Sequence, residues 1–128
     1  MTDKTYFASK ARHWQFVSAL VAAGAPFIST WHSWKPNSEE RHATPAEWAE
    51  HSERCLTQAG DADVCILYYE DTERHFGSLL EAGACLGRGG WVYLVANEEL
   101  PFLRNHPRCR SFPDLAAAIA ALNIQREE

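Results

Sequence analysis

No stretch of the 128-residue chain approaches the unbroken apolar length of a membrane-spanning helix, so insertion into a bilayer is not expected. Four cysteines, Cys55, Cys65, Cys85 and Cys109, form no Cys-x-x-Cys, and the six histidines form no His-x-x-x-His or mixed Cys/His ligand spacing. The usual metal frameworks are thereby excluded, and the thiols read as reduced core residues. A formal net charge of −5 comes without any Lys/Arg cluster, so attraction to a nucleic-acid polymer or an anionic membrane is not encoded. The expected partner is a small molecule. The opening residues Met1 to Thr5 show neither an apolar leader nor an Arg-rich transit pattern, which gives the expectation of a cytoplasmic protein. Internal repeats and low-complexity linkers are missing, and the length suits one domain over residues 1–128.

What the chain does contain is an alternation of short apolar runs and periodic amphipathic segments. Tyr6-Phe7-Ala8 suits a buried strand, and Arg12 to Ala23 follows with Trp14, Val17 and Val21 at helical spacing, closed by Gly24. Pro26 introduces Phe27 to Trp31 as a second predicted strand. The polar stretch from His32 to Ala43 is long for a connection and is a candidate lid or binding loop. Thr44-Pro45-Ala46-Glu47 has the form of a capping box with proline at the first helical position, predicting a helix from about Pro45 to Ala59 that Gly60 ends. Val64 to Tyr69 is the signature of a central parallel strand. A helix carrying Phe76, Leu79, Leu80 and Gly83 on one face follows, and Gly87, Gly89 and Gly90 break it. Trp91 to Val95 is a fourth strand and Cys109 to Phe112 a weak fifth, ahead of a last helix on Leu115, Ala118, Ile119 and Leu122.

This pattern predicts a flavodoxin-like three-layer α/β/α sandwich with a five-stranded parallel sheet in the order 2-1-3-4-5. In that order the winding reverses between strands one and three, and a ligand belongs in the crevice beyond their carboxyl ends. The turn from Ser9 to Arg12 and the segment from Glu70 to Glu81 meet there.

The run from Asp61 to Asp71, followed by Gly77-Ser78-Leu79-Leu80-Glu81-Ala82-Gly83-Ala84, resembles the nucleoside 2-deoxyribosyltransferase family and its nucleoside-monophosphate N-glycosidase relatives. Gly77, Glu81, Gly83 and Ala84 stand where that family has a Gly-x-x-x-Glu-x-Gly-x-Ala pattern, and Tyr6-Phe7-Ala8-Ser9 is similar to its sugar or phosphate loop. After the first strand the chain carries Ser9-Lys10-Ala11-Arg12 in place of the family's Gly-Pro or Gly-Ser pair. The resemblance implies a single domain that cleaves or transfers an N-glycosidic bond of a nucleoside or nucleoside 5′-monophosphate. It implies Glu81 as nucleophile; no cofactor is expected, and the Cys and His spacings give no expectation of a metal. It also implies a homodimer or higher homo-oligomer in which a neighbouring chain completes the pocket from the stretch holding Asn97, Asn105 and His106. The same glutamate would serve cleavage of the nicotinamide bond of a dinucleotide, and a catalytically idle nucleotide sensor would keep the fold and crevice.

Chemistry gives each candidate two readings. A retaining mechanism needs an ionised carboxylate at the anomeric carbon, and a helix amino terminus would favour that form in Glu81; the alternative is a helix-dipole glutamate facing solvent. Asp63 and Asp71 are candidates to position or protonate the departing base, or else flank a strand start and fill a solvated acidic turn. Ser9, Lys10 and Arg12 suit a 5′-phosphate, or a serine cap with two surface cations. Ser78 suits a phosphate or sugar hydroxyl, or caps its own helix. Trp31 and Trp34, beside the long loop, offer a face for a nucleobase or belong to the core. His32 is a candidate substrate contact or a solvated loop residue.

Overall fold

The computed structural model describes residues 4–69, 76–97 and 99–122. Four parallel strands, β1 (Thr5–Ala8), β2 (Val64–Tyr69), β3 (Trp91–Ala96) and β4 (Cys109–Ser111), lie side by side in chain order. Between them run α1 (Trp14–Ala22), α2 (Lys35–Ser38), α3 (Pro45–Asp61), α4 (Phe76–Gly87) and α5 (Pro101–Arg104), and α6 (Leu115–Ala121) follows β4. The protein is therefore an α/β domain on a four-stranded parallel sheet. The register pairs Tyr6 with Cys65 and Cys65 with Val92, and on the alternate pleat Phe7 with Ile66 and Ile66 with Tyr93. All six of these side chains are fully buried. At roughly 1.5–3 kcal/mol for each large apolar side chain taken out of water, this sheet centre contributes substantially to stability.

The pleat directs the two faces to different partners. Tyr6 reaches Glu81 on α4, and α3 packs against α4. Phe7, its neighbour, points the other way and stacks on Phe27 at 5.0 Å, with Tyr68 at 6.2 Å; Tyr68 in turn meets Phe16 of α1. Helices thus cover both faces.

The sheet differs from expectation at one edge. The five-stranded order 2-1-3-4-5 predicted from the sequence is not formed, because Phe27 to Trp31 makes only a single bridge, Thr5 with Phe27, on the free side of β1. Ile28 N–H donates to the Thr5 carbonyl, after which side chains take over the ladder. The Phe7 amide donates to Ser29 Oγ at 3.1 Å, and the Trp31 indole N–H donates to the Phe7 carbonyl at 2.6 Å. With both Phe7 backbone groups satisfied this way, the chain need not run on as a strand and instead turns through a short 3-10 segment, Trp31–Ser33. This carries Trp34 and the following loop over the carboxyl end of the sheet.

Elsewhere the capping box and the Gly24 stop act as read. The Thr44 side chain accepts from Glu47 N–H while Glu47 returns the bond to the Thr44 amide, so the capping box is complete. Gly24 follows α1 at φ +101, a conformation L side chains rarely adopt. Gly60 does not end α3: the helix runs to Asp61 and stops at the extended Ala62. Between α4 and β3, a Cβ on Gly90 would lie 2.5 Å from Cys85 Sγ and 2.9 Å from the Ala62 carbonyl, so only glycine fits that junction. No described helix is long and apolar enough to cross a membrane.

Candidate active site

A cleft of about 580 Å³ opens beyond the carboxyl end of β1. Its floor comes from the turn after β1 and its walls from α4 and α3, while α2 and the loop after it, as far as Ala43, form the rim. Of the site residues expected from sequence, Ser9, Lys10, Trp31, Gly77, Ser78 and Glu81 line it. Tyr6 stands directly behind, fully buried, its hydroxyl donating to Glu81 Oε2 at 2.7 Å. These two residues are 75 positions apart, and only the β1 to α4 packing brings them together.

Burial sets the electrostatics of this pair. The Glu81 carboxyl is pushed up to about 7, because desolvation outweighs the hydrogen bonds from Tyr6 and Cys55 that favour the charged form. The Tyr6 hydroxyl is held well above its ordinary range by burial and then by the Glu81 charge. Cys55, buried on α3, rises to about 11 from burial and the same charge. Glu81 is the sixth residue of α4, beyond the first turn where the helix dipole acts, so the expectation that a helix start favours its carboxylate is corrected. The group instead titrates near neutrality.

Other candidates fall elsewhere. Asp63 precedes the amino end of β2 and accepts the Lys4 amide at 2.9 Å on Oδ2. The four residues of β1 separate that end from the cleft by roughly 13 Å at the usual rise per strand residue, so Asp63 acts as a strand-start acceptor and not as an acid at the site. Arg12 is exposed on the short 3-10 turn Ala11–His13 and faces a separate shallow depression. Ser9 does not cap that turn; its hydroxyl meets His13 Nδ1 at 3.0 Å. His32 lies outside the cleft lining, its Nδ1 3.0 Å from Ser18 Oγ. Asn97 is exposed just beyond β3. The Asn105 amide donates to the Pro101 carbonyl, and His106 Nδ1 accepts the Arg108 amide; none of the three lines the cleft. Asp71 lies outside the described residues.

Sequence reading missed the α3 wall. Trp48, His51, Ser52 and Cys55 follow one another at i, i+3, i+4 and i+7, a single helical face, and all line the cleft. The His51 ring lies parallel to Trp34, with centroids 3.7 Å apart and planes 4° off, and Trp48 meets Trp34 edge-on at 4.9 Å. That period was the available signal. At the rim, Arg41 is bidentate on Glu47 and also paired with Glu39, which fixes the loop to the start of α3. Among the described residues no group of three or more His, Cys, Asp or Glu is placed to hold a metal ion. Comparison of the chain with protein-family models, curated proteins and solved structures found no match.

Proposed function

We propose that this protein cleaves the N-glycosidic bond of a nucleoside or nucleoside 5′-monophosphate, by hydrolysis or by transfer to a second base, with Glu81 as nucleophile. The observation that carries this reading is a carboxylate held at 2.7 Å by a buried tyrosine on the wall of a cleft large enough for a nucleotide. Rupture of the bond leaves positive charge on the sugar, and a carboxylate at the anomeric carbon both balances it and forms the glycosyl-enzyme bond. Tyr6 holds Glu81 Oε2, and attack falls to the carboxyl's other oxygen, with the weak Cys55 hydrogen bond giving way. Lys10 supplies a cation at the turn after β1 for a 5′-phosphate, and the aromatic residues of the lining supply a face for the base.

In this reading the single Thr5–Phe27 bridge is the remnant of an outer strand, and the domain is a reduced flavodoxin-like sandwich with its site at the switch point. A homo-oligomer in which a second copy closes the cleft belongs to the same proposal. The test is incubation with the common nucleosides and their 5′-monophosphates, with and without a second free base, followed by chromatography of the products. Release or exchange of a base by the wild-type protein, abolished in Glu81→Gln, is the expected result. Absence of any base release across the panel contradicts it.

A further inference from the structure

We propose that His51 is the proton donor to the departing base and, in the second half-reaction, the acceptor of a proton from the incoming water or base. This rests on the Glu81 reading above and names the missing acid of that same cleft. A leaving nitrogen needs a proton as its bond breaks, and Asp63, a candidate for that task, sits at the other end of the sheet. His51 lines the same cleft from α3, one helical turn from the Cys55 that hydrogen-bonds Glu81, and its ring is held by its neighbours. Trp34 covers one face at 3.7 Å, Trp48 approaches edge-on at 6.1 Å, and Cys55 Sγ lies 3.6 Å from Nε2 one helical turn on. No other titratable side chain of the lining is held between aromatic rings. Arg41 is committed to Glu39 and Glu47, and His42 is exposed on the rim loop.

The step balances. In the first half-reaction a Glu81 carboxylate oxygen bonds to the anomeric carbon, the carbon–nitrogen pair leaves with the base, and the His51 imidazolium gives that nitrogen its proton. In the second, water or a new base attacks the anomeric carbon, its proton passes to neutral His51, and the bond to Glu81 breaks. The titratable groups that line the cleft beside the imidazole are Lys10, Arg41, His42, Cys55 and Glu81, and Glu47 and Arg54 lie one helical turn from it on α3. Burial, and then Arg54, lower the histidine below its ordinary range, while Glu81 titrates near 7. The working pair, carboxylate with imidazolium, is thus a minority form that is most populated between the two titrations, and the profile is a bell.

The experiment compares wild type with His51→Gln on two substrates: the best nucleoside or nucleotide of the panel, and the 4-nitrophenyl glycoside of the same sugar, whose nitrophenolate departs without a proton. The expected result is a loss of roughly 100-fold or more in kcat/KM on the natural substrate, with less than about 5-fold loss in kcat/KM on the nitrophenyl glycoside, because kcat/KM reports the first half-reaction alone. The bell should become a single rise through about 7, the Glu81 titration. Added imidazole should restore turnover to His51→Ala, which separates lost chemistry from lost folding. Equal losses on both substrates, with an unchanged bell and no rescue, overturn the role of His51 while leaving Glu81 in place. No turnover of any panel member by wild type overturns the glycosidase reading and this proposal with it.

Discussion

Glu81→Gln should make the protein more stable, and only above mildly acidic pH. The carboxyl is raised from 4.5 to about 7 in the folded protein, so the folded state prefers the protonated acid. Its contribution is unpenalised below about 4.5, falls as pH climbs from there to about 7, and levels off above. A shift of about 2.5 units at about 1.36 kcal/mol each amounts to about 3 kcal/mol at pH 8. Glutamine keeps an oxygen to accept from Tyr6 but brings an N–H pair that only the weak Cys55 acceptor meets, so a net gain of about 1–3 kcal/mol is expected. Urea unfolding of both proteins at pH 4 and pH 8 measures it, as a midpoint difference on the order of 1 M at the higher pH. His32 and His51, both lowered by burial, contribute with the opposite sign, gaining stability as pH rises toward the ordinary histidine range. They are common to both proteins and cancel in the difference. A gain of equal size at pH 4 and pH 8, or a loss at pH 8, would refute the argument that burial of this carboxyl opposes folding.

Three further outcomes follow from the same geometry. Tyr6→Phe removes a hydrogen bond that favours the Glu81 carboxylate, so the rising limb measured with a nitrophenyl glycoside should move up by about 1–2 pH units, at about 1.5–3 kcal/mol for a bond to a charged group; an unmoved limb counts against the pairing. Lys10→Ala should raise KM for a 5′-monophosphate far more than for the matching nucleoside, whereas Arg12→Ala, outside the cleft, should leave both unchanged; equal effects of Lys10→Ala on the two substrates would remove the phosphate contact. Gly90→Ala places a methyl against Cys85 Sγ and the Ala62 carbonyl and should cost about 1–3 kcal/mol in thermal or urea unfolding, a value near zero showing that the α4 to β3 junction yields freely.

Features encoded in a few adjacent residues were legible in the sequence. The Thr44 and Glu47 box, the apolar run from Val64 to Tyr69 and the Gly24 stop each act through local geometry, and each appears at its expected place. The Phe27 to Trp31 run has strand composition, yet its fate depends on Ser29 and Trp31 bonding to the backbone of Phe7, a tertiary event that propensity does not contain. Glu81 was found through a motif, but its partner Tyr6 and its burial follow from packing across the sheet. The α3 wall is written in the spacing of Trp48, His51 and Cys55, but helical period alone does not tell a stripe that faces a core from one that faces a cleft. Here the same stripe faces a cleft, since α4 and the β1 turn leave space in front of it.

The central claim is that Glu81 bonds covalently to a sugar. Incubation with a 2′-fluoro analogue of the best panel substrate, followed by proteolysis and mass spectrometry, tests it most directly, because the fluorine slows breakdown of the glycosyl-enzyme. The account predicts the mass of one fluorosugar on the wild-type peptide containing Glu81, and none on Glu81→Gln. A fluorosugar found on another residue, or base release from the natural substrate that Glu81→Gln sustains at the wild-type rate, would contradict it.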